Sequence, residues 1–195
     1  DLAAFFKQRL SPVIDRDIRA AAKSAFATTA VSQTAALDML SMLSVNFGLV
    51  RAIVEHSGFR PSALALAGLY ARVLKATFLA GGLEEMDLEE ILSLAGGNAV
   101  ARMPGVVIAS AAQGAVNAFA TARVGVVTKS VLFAEGEPID MRRLRRESYG
   151  EALSLLKRNG VLEDIRSAIA RKATAIKDGA VESARQTWGR MRPGS

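Results

Sequence analysis

The chain has 195 residues, half of them apolar, 23% charged and 6% aromatic, which is enough for one packed domain without covalent staples. It contains no cysteine and one histidine, so disulfides, thiolate metal sites, cysteine nucleophiles and multi-histidine metal centres are excluded. The formal charge of +6 sits at one end: from Met141 onward thirteen basic residues stand against six acidic ones, and the part before carries twelve against thirteen. A basic end of this kind suits an anionic partner, whether phospholipid, nucleic acid or an acidic protein face.

Strand signals are nearly absent, and Val124–Val127 is the only short β-branched cluster. Abundant alanine favours helix. The chain opens with a short amphipathic piece, Leu2–Leu10. Ser11-Pro12 resembles a helix N-cap followed by proline at the first helical position, with the helix running from about Val13 to Thr29. A long apolar helix is expected over Thr34–Ser57, with Gly58 as the residue that ends it. Pro61 opens the next helix, to about Ala80, and Gly81-Gly82 ends it. Asp87 precedes a helix start rich in acids. After Pro104 an apolar helix runs to about Phe133. Glu135–Pro138 is a turn, helix resumes to Arg158, and Asn159-Gly160 breaks it. A last helix runs from Val161 to about Trp188, followed by a tail expected to be disordered.

The expected fold is therefore all-α, an irregular multi-helix bundle of six to eight helices around a central apolar helix at 104–133. It divides into N-terminal helices at 1–30, a core at 31–137, and basic C-terminal helices with a short tail at 138–195. Two stretches invite a membrane reading. Met103–Ala122 has twenty uncharged residues, but its proline, Gln113, Asn117 and small residues suit a buried helix better. Ser62–Ala80 is interrupted by Arg72 and Lys75 and reads as amphipathic. In the last helix Ile165, Ile169, Ala173 and Ile176 share a face, with Arg166, Arg171, Lys172 and Lys177 largely off it. Such a helix docks on the bundle, joins a second copy, or lies on an anionic membrane.

No catalytic constellation emerges. His56 lies beside a helix C-terminus, where a cationic ring favours the dipole. Glu84, Glu85, Asp87, Glu89 and Glu90 form the densest acidic group, but they crowd a helix start and make no calcium-binding loop. Neither glycine pair matches a phosphate-binding loop, so the chain is not itself a nucleotide hydrolase. No cofactor and no metal site is expected. The run Arg142, Arg143, Arg145, Arg146, with Arg171 and Lys172 further on, is the candidate anionic-surface contact. It lacks interleaved aromatics, and nucleic acid is not the expected partner.

A pattern of single residues points further. Leu37-Asp38 stand at a helix start, Asn46 follows eight residues after Asp38, and Gly58 closes the helix before Arg60-Pro61; later comes Thr121-Ala122-Arg123-Val124-Gly125. That order and spacing resemble the YcjF-type family of bacterial inner-membrane proteins. This is a group of unknown function whose genes neighbour, or are fused to, P-loop GTPase-like proteins. The resemblance covers about half of the chain. It implies a non-enzymatic helical domain on the cytoplasmic side of the inner membrane, following membrane helices that would precede Asp1. It also implies a P-loop GTPase-like partner. The matched positions are Asp38, Asn46, Gly58, Arg60 and Arg123. A buried Arg123 requires an anion, and Asp38 is the expected one. The alternative is a lipid-binding or peripheral membrane-surface protein, with 103–122 lining a cavity.

Overall fold

The computed structural model describes residues 5–31, 35–79, 93, 105–134, 140–158 and 161–191. Among these there are six α-helices and no strand. We name them α1 (Ser11–Val31), α2 (Ala35–His56), α3 (Ala63–Leu74), α4 (Gly105–Leu132), α5 (Met141–Lys157) and α6 (Val161–Met191). The chain is an all-α multi-helix bundle, as the residue pattern requires.

α4 is the axis. Its composition offers no polar side to turn to water, and every residue from Asn117 to Lys129 is buried. α1 lies along it through Ile14, Ile18, Ala22 and Phe26, spaced four apart on one face. The two helices approach closely because α4 has glycine where α1 is bulky. A Cβ on Gly125 would lie 2.5 Å from Ile18 Cγ1, and one on Gly114 would lie 2.8 Å from the Phe26 ring. α5 and α6 complete this core with Leu155, Leu156, Val161 and Ile165. A second cluster joins α2 and α3 to α4 and α5 through Val50, Val54, Leu66, Val73, Val124 and Leu144. The segments 1–30, 31–137 and 138–195 thus share one core: Ile18, Leu49, Ala122 and Leu155 belong to the same cluster.

Several boundaries differ from the sequence expectation. Ser11 does not cap α1, because the chain is already helical from the π-helical turn Phe6–Leu10, which runs straight into it. Pro12 lacks an N–H, and the wider turn before it is where an interrupted i→i−4 ladder is tolerated. The next helix starts two residues after Pro61: Ser62 is the cap, its side chain accepting from the Ala65 N–H. α3 then passes into a second π-helical turn, Lys75–Leu79. α6 continues to Met191, past the expected end at Trp188. The acidic group at 84–90, the Gly81-Gly82 and Gly96-Gly97 pairs and the turn at 135–138 lie outside the described residues.

Candidate functional site: the α2–α3 corner and the polar track beneath it

α2 ends because Gly58 can take a backbone conformation other residues resist. Its φ is +83°, the Gly58 N–H donates to the Glu55 carbonyl at 3.0 Å, and the Phe59 N–H donates to the Val54 carbonyl at 3.2 Å. This crossed pair of bonds is the Schellman arrangement, which satisfies the last carbonyls of a helix and turns the chain sharply. Four residues on, Ser62 caps α3. Between the two helix ends lies an open groove of about 700 Å³, lined by Phe47, Arg51, Glu55, Phe59, Arg60 and Leu66 among others.

The groove is chemically mixed. Arg51 is already engaged, its Nε donating to Glu55 Oε1 at 2.7 Å, and this partner raises its pKa. Arg60 is exposed and makes no ion pair with any described residue. Phe47 anchors the wall by meeting Tyr70 edge-on at 5.4 Å. The Tyr70 hydroxyl donates to the Leu43 carbonyl at 3.2 Å, and burial pushes its pKa above the usual tyrosine value. The groove therefore offers one uncommitted cation between aromatic walls. It can hold an anionic or mixed partner surface.

The other matched positions serve a different purpose. Asp38 does not pair with Arg123. Its Oδ2 accepts instead from Gln113 Nε2 at 3.1 Å and from Asn117 Nδ2 at 3.4 Å. Asn117 Nδ2 also donates to Thr29 Oγ1 at 2.7 Å, so α1, α2 and α4 meet in one polar network. Arg123 lies six residues further along α4, about 9 Å away by helical rise. It is 1% exposed, between Ala122 and Val124, which are fully buried. Asn46 is also fully buried, and its Oδ1 accepts no hydrogen bond from the described residues, nor does Thr121 Oγ1. Asp38 touches Asn117 and Leu49 faces Gly125, so Asn46 falls at the level of Thr121–Arg123. The five matched residues thus separate: Gly58 and Arg60 form the exposed corner, and Asp38, Asn46 and Arg123 lie in the α2–α4 seam.

The basic residues of the C-terminal part are dispersed. Arg142 and Arg146 are exposed, Arg143 donates to Glu147 at 2.7 Å, and Arg145 donates back to the Met141 carbonyl at 3.1 Å. Arg171 is exposed on α6; the side chain of Lys172 lies outside the described residues. His56 does more than stand at a helix end, since its Nδ1 lies 2.6 Å from Asp17 Oδ2 and joins α2 to α1. A feature the sequence reading missed is Lys129. Only 11% of its side chain is exposed, and its Nζ bridges Asp15 of α1, at 3.0 Å, and Glu151 of α5. Burial pulls the Lys129 pKa down, but Glu151 and Asp15 together outweigh it and hold the ammonium above its ordinary value. Among the described residues no group of three acidic or histidine side chains could hold a metal ion.

The stretch Leu37–His56 is the one helix, among the described residues, long and apolar enough to cross a membrane. It is neither of the two stretches that invite a membrane reading in the sequence, 103–122, which suits a buried helix, and 62–80, which is amphipathic. A third of its most apolar window is buried, and its Asn46, Val50 and Ile53 pack in the bundle.

Comparison with known proteins follows the same lines. The chain is 28% identical over 159 residues to a UPF0283 membrane protein of Rhizobium etli (strain CIAT 652), covering 78% of this chain and 41% of that protein. A UPF0283 membrane protein of Rhizobium johnstonii is 29% identical over 156 residues, 77% of this chain and 40% of the relative. One from Sinorhizobium medicae is 29% identical over 154 residues, 76% and 39% respectively. The chain spans about 40% of the length of these curated relatives. No solved structure matches. The resemblance to the YcjF-type proteins holds at this level, that of bacterial membrane proteins of unknown function. The family described as "Domain of unknown function (DUF697)" matches residues 3–154, and the chain belongs to it.

Proposed function

We propose that this chain is a non-enzymatic helical interaction domain of a bacterial inner-membrane protein, facing the cytoplasm and working with a P-loop GTPase-like partner. The observation that carries the reading is the placement of Gly58 and Arg60. These are the two family-matched residues that are exposed, and both line the groove at the α2–α3 corner. Matched residues in a packed seam are accounted for by folding, whereas an exposed arginine between aromatic walls is of use to a partner. Arg51 and Glu55 neutralise each other beside it, so Arg60 sets the sign of the groove.

The test is capture from native lysate on the immobilised chain, with and without GTP, read by mass spectrometry. Recovery of a P-loop GTPase that depends on nucleotide, and falls on Arg60→Glu, is the expected result. Recovery unaffected by both nucleotide and Arg60→Glu ends the reading. The second reading is a peripheral membrane-surface protein holding anionic lipid through its basic C-terminal part. It is favoured by the exposure of Arg142, Arg146 and Arg171. Salt-sensitive flotation with phosphatidylglycerol vesicles that is lost in Arg142→Glu/Arg146→Glu supports it.

A further inference from the structure

A surface helix of a water-soluble bundle carries a polar side, and α3 does not. Its buried residues Leu66 and Val73 face α4 and α5. Opposite them, at three- and four-residue spacing, stand Leu64, Ala67, Gly68 and Ala71, all exposed, and Leu64 is 84% exposed. α2 repeats the pattern. Its Val50 and Val54 are buried against the same neighbours, and away from the core Leu37, Leu40, Ser44 and Gly48 form an exposed stripe, with Leu40 at 63%, that continues into the paired Arg51 and Glu55. Phe47, Tyr70 and the Tyr70–Leu43 hydrogen bond hold the two helices side by side. Because both turn their buried faces to one neighbour, their outer faces look outward together. They form one outward surface, apolar at Leu37, Leu40 and Leu64 and small at Ser44, Gly48 and Gly68, with the mutually neutralised Arg51–Glu55 pair on its α2 side and Phe59, more than half exposed, beyond that pair.

We propose that this outer α2–α3 face is where the domain lies against an anionic phospholipid bilayer. Charge selects that occupant. From Met39 to Leu79 the chain has Arg51, Arg60, Arg72 and Lys75 against Glu55 alone. Arg51 and Glu55 pair with each other, and Arg60, Arg72 and Lys75 are exposed with no ion pair to any described residue. Tyr70 lies level with Leu43, so Arg72 and Lys75, further along the antiparallel α3, lie at the Leu40 end, and Arg60 lies at the Leu64 end. An apolar patch flanked at both ends by cations matches the headgroup region of an acidic bilayer. A second copy of the chain on the same face would bring these cations against their own kind. Leu40 and Leu64 enter the interface, Arg72 and Lys75 meet lipid phosphates, and Gly48 and Gly68 keep the face flat. The inference rests on the membrane-association part of the function proposed above, and not on the GTPase part. It assigns the contact to α2–α3 rather than to the basic C-terminal helices.

The test is flotation of the full chain with phosphatidylethanolamine vesicles containing phosphatidylglycerol, and with phosphatidylcholine vesicles, at low and high salt. Binding to the anionic vesicles that weakens with salt is expected, and Leu40→Asp/Leu64→Asp lowers the partition at least about ten-fold while circular dichroism is unchanged. Because the chain has no cysteine, Leu64→Cys carries a single environment-sensitive fluorophore. Its emission shifts to the blue on anionic vesicles, and the same label at Glu163→Cys on α6 does not respond. The proposal is overturned if the intact chain ignores anionic vesicles, if folded Leu40→Asp/Leu64→Asp floats as before, or if the label at position 64 stays in water. Loss of binding in Arg142→Glu/Arg146→Glu but not in Leu40→Asp/Leu64→Asp also overturns it, while leaving membrane association in place. A lipid-free dimer that Leu64→Asp dissociates assigns the face to protein and overturns it as well.

Discussion

Single atoms decide how closely α1 can approach α4. Gly125 lies against both Ile18 and Leu49, the latter at 3.1 Å from an added Cβ, so a methyl group there meets two helices at once. Gly125→Ala is expected to destabilise the fold by about 1–3 kcal/mol in urea unfolding, the usual cost of overpacking a filled core. Gly114→Ala meets only Phe26, at 2.8 Å from its ring, so it presses on one helix rather than two and should cost less. Gly58 is a different case: nothing crowds its Cβ position, but its φ of +83° penalises any side chain. Gly58→Ala should cost about 1 kcal/mol through backbone strain alone, and it should shift the Arg60 corner with it. A stability change smaller than that of a surface alanine substitution would show that the turn is not needed.

At the scale of elements, caps and spacing determine where helices begin and which side they bury. Asp140 caps α5 by accepting from the Arg142 N–H at 2.9 Å and more weakly from Arg143 N–H at 3.4 Å. These bonds stabilise the charged carboxylate and lower its pKa. A lowered folded-state value means the cap contributes above the ordinary carboxylate range and is lost as pH falls through the folded value. Asp140→Asn, which keeps the acceptor, should therefore hold its thermal midpoint better than Asp140→Ala in mildly acidic buffer; equal loss in both would refute the cap. Ser62→Ala removes the corresponding bond from α3 and should cost about 0.5–1 kcal/mol. In α6 the stripe Val161, Ile165 and Ile169 is buried, and Ala173 packs against the same core.

At the scale of the whole molecule, Lys129 joins three helices that are far apart in the chain. Removing its partners leaves a buried charge unmatched, so Asp15→Asn/Glu151→Gln is expected to cost about 3 kcal/mol or more, and Lys129→Met less. Its pH dependence has a definite sign. The folded-state pKa lies above the ordinary lysine value of 10.5, so the stabilisation is complete below that pH and is lost as pH rises through the folded value. Chemical denaturation between pH 9 and 11.5 should show a fall (about 10.5 and upward) that Lys129→Met flattens. An identical profile in wild type and Lys129→Met would remove the triad from the account of stability.

The helical class, the central place of the 104–133 segment and the turn at Gly58 were legible in the residues, because apolar spacing, uniform apolarity and a helix-ending glycine are local signals. The caps at Ser62 and Asp140 were equally local and were overlooked, since Pro61 drew the helix start toward itself. The corner at Gly58 and Arg60 was named from the sequence, but its groove was not, because Phe47 and Leu66 reach it from two helices. The pairing of charges was beyond a single sequence. Asp38 was expected opposite Arg123 and instead meets Gln113 and Asn117, and Lys129 went unremarked until Asp15 and Glu151 came to flank it. The sequence by itself determined which residues prefer helix and which faces are apolar, because those follow from neighbours three and four positions away. Only the tertiary structure decided which apolar faces are covered: α4 is enclosed on all sides from Asn117 to Lys129, while the outer sides of α2 and α3, no more polar, are left open, because burial depends on which helix lies beside which.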